Sequence, residues 1–597
     1  MAESLVASLD AARRFMANGQ VMEADLLVDD VLAQAPGHVE ALLLRGAALL
    51  ARGDRAAAFA LYSELANHAP DHPDICANLG VIHRLEGRGE EARFCFERAV
   101  LLAPRKGSYH CALANLLLTL GALDDARDAI RAAAPVVEES GDDALEADLY
   151  GIDARLALLE RRFPAAERAV RRALEVRPNH EPDLSLLCGL VARSGRSEEA
   201  VDLAERIYRA APTALEHGVQ LAGHLLDVGR TAEAERHLRR CLAVAPAHVE
   251  ATFLMGRLQL LRGEGAAAIS AFAALVKTDP RNADLLARIG GLLRLNGDLE
   301  RALLVITQAA QLEGAPPALA GWCEEIKLAL GRVGEVWPSA VNAADLPPAV
   351  QIPLGTPAGE VVFFARFAAR YADQDRPLVC HAEPALLPLL EGVVGLSGTS
   401  GAAGPDLPLL SELPERIGVR PDDRRGAPYL AVSAGRFAAW TQALAGRSRP
   451  WIGLMWDPGA GPDLATVREI ARASGGEDAT LISLAFDQRR EQLAGIDSVL
   501  DVGGQFRDAR DLMAVMAHLD LTLACDGLAA HVAGAMGRPV VVGVPALQPW
   551  MWAHEGGHAL WYASARVVRA SPAGRWDVPA AVAAARIALG RAEQEGP

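Results

Sequence analysis

The sequence lacks any cysteine framework. Its eight cysteines, Cys76, Cys95, Cys111, Cys188, Cys241, Cys323, Cys380 and Cys525, are scattered with no C-x-x-C pair, which argues against a disulfide scaffold and a zinc ribbon. Basic residues are in deficit: 59 Lys and Arg stand against 76 Asp and Glu, a net charge of −17, so general nucleic-acid binding is disfavoured for want of a basic surface. No apolar run reaches the roughly 18 residues of a membrane span, and the longest candidate, PVVVGVPALQPWMW, is broken by prolines. The start, MAESLVASLDAARRF, places Glu3 and Asp10 where a signal peptide needs a basic start and an apolar stretch, so a cytoplasmic location is expected. Aromatics make up only 5%, and all nine tryptophans lie at residue 322 or later. What is present, 51% hydrophobic and 23% charged residues, is globular usage, and 597 residues are enough for several domains.

The first half is periodic. Prolines recur every 34 residues at Pro36, Pro70 and Pro104 and again at Pro178, Pro212, Pro246 and Pro280; the wider central gap places a short insertion near GDDALEA, which begins at Gly141. In the same register runs a column of small residues, Ala12, Gly46, Gly80, Ala114, Ala154, Cys188, Ala222, Gly256 and Gly290. A column of larger ones, Val28, Tyr62, Phe96, Ile130, Val170, Leu238, Phe272 and Ile306, has Ala204 as its one small member. Small side chains at fixed positions let paired helices approach, and the larger column fills the space between them. Glycines at 19, 53, 87, 121, 195, 229, 263 and 297 fall where a left-handed residue ends the first helix of each pair, and only Arg161 breaks that column. These columns predict nine two-helix units forming an α-solenoid over residues 1–335.

Residues 336–353, with their prolines, read as a linker. Beyond it β-rich runs (PLVCHA, WIGLMW, TLISLAF, SVLDVG, LTLACD, PVVVGVP) alternate with helical ones (DARDLMAVMAHL, GLAAHVAGAMG), the pattern of parallel α/β units. The SGTSGAAGPDLP interruption divides this half into two Rossmann-like lobes, 354–446 and 447–597, with a ligand cleft expected between them. Trp440, Trp451 and Trp576 are expected in the core, whereas Trp456, Trp550 and Trp552, at strand ends, are placed to face the cleft.

The segment LTLACDGLAAHVAGAMGRPVVVGVP reads as strand, turn at Asp526, helix and strand. Free N–H groups at the start of such a helix suit a phosphate. Asp526 can equally cap the helix and His531 can be an ordinary packed residue.

The 34-residue pattern resembles the tetratricopeptide repeat, whose arrays hold protein partners on a concave face. The segment around Asp526 resembles the donor motif of heptosyltransferase-like glycosyltransferases with the two-lobed GT-B fold: Asp526, His531, Ala533, Gly534, Ala535, Gly537, Pro539 and Val540 match. GEVVFFARF (359–367), GLMW (453–456) and PWMWAHEGGHALWYASARVVR (549–569) resemble further stretches of that family in order. The resemblance implies that Asp526, the Gly527 and Leu528 amides, His531 and Gly534 hold the nucleotide end of a sugar donor, with Trp456 packed on it. It implies Glu360 as general base, beside its plainer reading as a helix N-terminal acid, and Arg366 as an orienting cation. No metal or other cofactor is called for. The acceptor is expected to be a protein hydroxyl, with flagellin as one instance because flagellin glycosyltransferases share this architecture.

Departures are visible. Gly527 replaces the family threonine; Asp457, Pro458, Gly459 and Ala460 replace an Asn-Pro and basic stretch; Ala485 and Phe486 replace Leu-Gln; Met551 replaces an arginine. A site poorer in cations fits a donor with one phosphate, such as a CMP-linked nonulosonic acid. It also fits a pseudoenzyme serving as chaperone or assembly scaffold. One further string, HEGGH at 554–558, matches the zinc-protease pattern, but Gly556 and Gly557 oppose the helix on which its histidines would have to stand.

Overall fold

A computed structural model describes residues 2–337, 347–368, 378–393, 395–400, 407–419, 428–457, 461–571 and 574–590. The chain divides into two compact units, Met1–Leu254 and Met255–Pro597.

The first unit is a succession of antiparallel helix pairs, beginning with Ala2–Ala17 and Val21–Gln34, Val39–Ala51 and Arg55–His68, and Pro73–Leu85 and Gly89–Leu102. Each first helix ends on a left-handed residue: every glycine of the predicted column has φ between +75° and +86°, and Arg161 adopts the same conformation at φ +58°. The insertion is absorbed as helix, because Leu123–Ser140 and Asp143–Leu159 are longer than their counterparts and meet at the left-handed Gly141.

The two columns pack against each other, and their sizes vary inversely. A Cβ on Gly80 would lie 3.1 Å from the Phe96 ring, and one on Gly46 would strike Tyr62. Cys188, the largest of the small column, is opposite Ala204, the smallest of the large one. The sizes are inverse without summing to a constant, since Cys188 with Ala204 is a smaller pair than Gly46 with Tyr62 or Gly80 with Phe96. Burial of one large partner such as Phe96 contributes about 1.5–3 kcal/mol.

The second unit opens with the last repeats, including Gly265–Thr278, Ala283–Asn296 and Leu299–Ala310. A truncated tenth pair follows, Ala318–Ala329 and Val333–Val336, again with a left-handed glycine between, Gly331. The α/β part carries two sheets. Strands β1 (Ala349–Gln351), β2 (Leu378–His381) and β3 (Leu396–Thr399) form a parallel sheet in that order. The larger sheet comprises β4 (Trp451–Leu454), β5 (Thr480–Ser483), β6 (Val499–Asp501), β7 (Leu521–Cys525), β8 (Val540–Val544), β9 (His554–Glu555), β10 (His558–Ala559) and β11 (Ala565–Arg569), in the order β6-β5-β4-β7-β8-β11-β10-β9. It is mixed: β4 to β8 and β11 are parallel, and β9 and β10 form an antiparallel edge. The apolar runs of β4, β7 and β8 are buried on both faces, as parallel strands between helical layers must be.

The linker expected at 336–353 is in part structured. Its end is strand β1, and Trp337 is buried with its ring 5.5 Å from Trp550 and 6.3 Å from Trp561 and Phe367; residues 338–346 lie outside the described residues. Arg569 of β11 donates through Nε to Ala546 O at 2.7 Å and through a terminal nitrogen to Leu295 O, at the C-terminal end of the repeat helix Ala283–Asn296. A cation there satisfies a carbonyl the helix leaves unpaired.

Candidate functional site

The chain lays down β4, β5 and β6 outward in one direction and then returns to place β7 on the other flank of β4. Such a reversal opens a crevice beyond the carboxyl ends of the two central strands, the usual ligand position in open α/β sheets. Asp526 follows β7 directly. Gly527 has φ +153° and ψ −168°, a region essentially confined to glycine, and the helix Leu528–Ala535 starts immediately after it. No side chain caps this helix, so its first N–H groups remain for a ligand or water.

Asp526 is held from two sides. Trp552 Nε1 donates to its Oδ1 at 2.6 Å, and His531 Nε2 lies 3.5 Å from the same oxygen. Burial raises the Asp526 carboxyl, but the His531 and Trp552 contacts outweigh it and leave it below the ordinary range. His531 is 1% exposed, and burial keeps it neutral against the opposing pull of Asp526.

The helix Ala358–Ala365 brings the other candidates. A Cβ on Gly359 would lie 2.8 Å from His531 Cδ2 and 3.1 Å from the Gly527 carbonyl carbon, so only glycine allows the two helix starts to meet. Glu360 follows it, half-buried, with its carboxyl raised by burial and by the charge of Asp526. A carboxylate raised in this way is a better base than an ordinary one. Arg366 donates to Trp561 O at 2.9 Å, and its guanidinium lies 4.4 Å from the Tyr562 and 4.5 Å from the Phe363 ring centroids. Its charge is spent on an aromatic cage and a backbone carbonyl, a setting that ties helix Ala358–Ala365 to the segment after β10.

Asp526, Gly527, Leu528, His531, Glu360 and Gly359 are therefore brought together. Two candidates take other places. Trp456 is fully buried and gives its Nε1–H to Gln492 Oε1 at 3.0 Å, so it has no free face for a ligand and belongs to the core. Gly534 meets Tyr562, not open space: a Cβ there would lie 2.5 Å from that ring. Trp552, expected to face the cleft, is buried, and Trp550 is half-buried among aromatic rings. Of the residues that replace the basic stretch, Pro458, Gly459 and Ala460 lie outside the described residues.

An ion pair on the same rim, Arg489 with Asp487, was missed by motif comparison. Arg489, just beyond β5, donates to Trp456 O at 3.1 Å and is paired with Asp487 at 2.6 Å; Phe486 is exposed beside it. The string FDQRR following a buried strand was the available signal.

HEGGH forms the β9–β10 hairpin, with Gly556 at φ +54° and Gly557 at φ +79° as a two-residue turn of the kind that favours such glycines. Among the described residues no group of three His, Cys, Asp or Glu is placed to hold a metal ion, and no helix is long and apolar enough to cross a membrane.

Comparison with known proteins bears on the helical part. Two family models described as tetratricopeptide repeat match the chain, one over residues 49–112 and 225–289 and the other over residues 9–73, 154–214 and 262–318. These segments are tetratricopeptide repeats. No curated protein matches the sequence. Solved structures similar to the chain include PilF of Pseudomonas aeruginosa, with 17% identity and a TM-score of 0.30 over 35% of this chain and 92% of that one. They also include YrrB, a tetratricopeptide-repeat protein with an unusual peptide-binding site, with 14% identity and a TM-score of 0.27 over 32% and 95%. A human IFIT1 dimer with m7Gppp-AAAA matches with 17% identity and a TM-score of 0.33 over 51% and 80%.

Proposed function

We propose that the chain is a protein O-glycosyltransferase in which the tetratricopeptide array recruits a protein acceptor and the α/β part, read as a GT-B-like pair of lobes, transfers a sugar from a nucleotide donor to Ser or Thr. The observation that carries this reading is the meeting of Glu360 with the Asp526–Gly527–Leu528 turn at the sheet reversal. Glu360 removes the acceptor hydroxyl proton as the oxygen attacks the anomeric carbon. The bond to the nucleotide phosphate breaks, and the uncapped N–H groups at the start of Leu528–Ala535 stabilise the departing phosphate. With Arg366 enclosed by aromatic rings and Arg489 paired with Asp487, the site has little free positive charge among the described residues. That favours a donor with one phosphate, such as a CMP-linked nonulosonic acid, over a diphosphate. Flagellin is one candidate acceptor.

The same scarcity of free cations favours a second reading, a chaperone or assembly scaffold whose transferase-like part is inactive. Intact mass of the protein captured by the full chain, from cells carrying wild type or Asp526→Ala with His531→Ala, separates the two. A discrete sugar mass dependent on wild type supports transfer. An unchanged mass, with secretion or assembly lost on deletion, supports the scaffold.

A further inference from the structure

Tyr562, the residue after Trp561, has no role in the chemistry set out above, yet its hydroxyl is the joint between the candidate groups. It lies 2.9 Å from His531 Nδ1 and 3.4 Å from the Tyr429 hydroxyl. Tyr429 gives its own proton to Val362 O at 2.9 Å. The Tyr562 proton therefore has two acceptors within reach, and the shorter contact is to His531 Nδ1. The Tyr562 ring itself is covered by the Arg366 guanidinium, 4.4 Å from its centroid.

This arrangement decides which histidine nitrogen bears the proton. With Nδ1 accepting, Nε2 carries the hydrogen and points it at Asp526 Oδ1, 3.5 Å away. The opposite tautomer would aim a lone pair at a carboxylate oxygen, which is repulsive. Asp526 Oδ1 is then occupied by Trp552 Nε1–H and faced by His531 Nε2–H.

We propose that Tyr562 is a positioning residue: by donating to His531 Nδ1 it fixes the Nε2–H tautomer and holds Asp526 with Oδ1 engaged and Oδ2 turned to a hydroxyl of the bound donor. The last part rests on the transferase reading; the tautomer does not. Two further observations support it. Gly534 is small because Tyr562 lies on it, since a Cβ would sit 2.5 Å from two ring atoms, so the glycine of the motif serves the tyrosine. His531 and Tyr562 are 1% and 2% exposed, leaving no bulk water to replace the hydroxyl if it is removed.

The test uses the full chain, labelled at histidine ring nitrogens and observed by NMR near neutral pH, as wild type, Tyr562→Phe and Gly534→Ala. CMP, UDP and ADP are titrated against each by calorimetry. Wild-type His531 is expected as a single Nε2–H tautomer, and Tyr562→Phe is expected to mix the two forms. For whichever nucleotide wild type binds, affinity is expected to fall about tenfold in Tyr562→Phe, the loss of one charge-linked hydrogen-bond chain. Gly534→Ala, which keeps the hydroxyl but displaces the ring, is expected to show the same mixing and gives a second route if Tyr562→Phe folds poorly. Protonation at Nδ1 in wild type, or an unchanged His531 signal in both variants, overturns the proposal. If wild type binds none of the three nucleotides and modifies no acceptor, the transferase reading fails, while the tautomer signal still decides the role of Tyr562.

Discussion

Trp552 donates its indole N–H to Asp526 Oδ1 at 2.6 Å, joining the end of β7 to the segment after β8. A hydrogen bond to a charged acceptor contributes about 1.5–3 kcal/mol. Trp552→Phe is therefore expected to lower stability by about that amount, with part of the loss due to packing. Urea denaturation of the full chain measures it, and an unchanged midpoint would show that the bond does not hold the turn.

Gly527 sits in a backbone region that side chains rarely enter. Restoring the threonine of the related motif, Gly527→Thr, is expected to cost about 1–3 kcal/mol in strain and to weaken nucleotide binding. Thermal melting and calorimetry read the two effects separately. A stable variant with tighter binding would mean that the turn relaxes.

Glu360 gives a pH signature. Its carboxyl is raised above the ordinary value of 4.5, so its favourable contribution is complete below that pH and is lost as pH rises through the raised value. Glu360→Gln is expected to melt higher than wild type at pH 7 and about equally near pH 4, while lowering transfer by about 10²–10⁴-fold if Glu360 is the base. Equal melting at both pH values would show that the carboxyl is unstrained.

His531 acts in the opposite direction. Burial lowers it below the ordinary 6.5, so stability is lost as pH falls from that value toward the folded-state one. His531→Phe is expected to flatten the wild-type decline in melting temperature between neutral pH and pH 5, whatever its effect at neutrality. A decline of the same slope in both proteins would assign it to other groups.

The inverse sizes in the repeats predict a coupling. Gly80→Cys places a side chain against Phe96 and is expected to cost about 1–3 kcal/mol as overpacking. Phe96→Ala alone removes the buried ring; the two together give the natural Cys188 and Ala204 combination and are expected to cost less than the sum of the single losses, a coupling of about 1 kcal/mol or more. Strict additivity in denaturant melts would show that the pair is not a packing unit.

The repeats were legible because their packing is local: Gly46 and Tyr62 belong to the same helix pair, so one period contains both halves of the contact. The Asp526 turn was legible because strand, turn and helix are contiguous. Trp456 was not, since a strand-end position fixes direction but not what covers the ring, and its cover, Gln492, comes from another segment. Arg366 and Tyr562 were illegible for the same reason. The cage around Arg366 draws rings from segments far apart in the chain, Phe363, Tyr429, Trp561 and Tyr562, and no spacing rule joins them. Strand β1 was hidden by being short and flanked by prolines.

The bond from Arg569 to Leu295 O and the burial of Trp337 among Trp550, Trp561 and Phe367 bear on how this protein can be divided. A gene fragment beginning at the apparent domain border near residue 336 would leave Arg569 without its carbonyl and, if begun after Trp337, would uncover a wet aromatic face prone to self-association. Its behaviour in solution would then report on the cut, not on the fold. A fragment meant to stand alone has to carry at least the helices from Ala283 onward, which makes the last repeats part of the α/β body's hereditary unit: a recombination that exchanged the array would keep these contacts only if its crossover fell upstream of them.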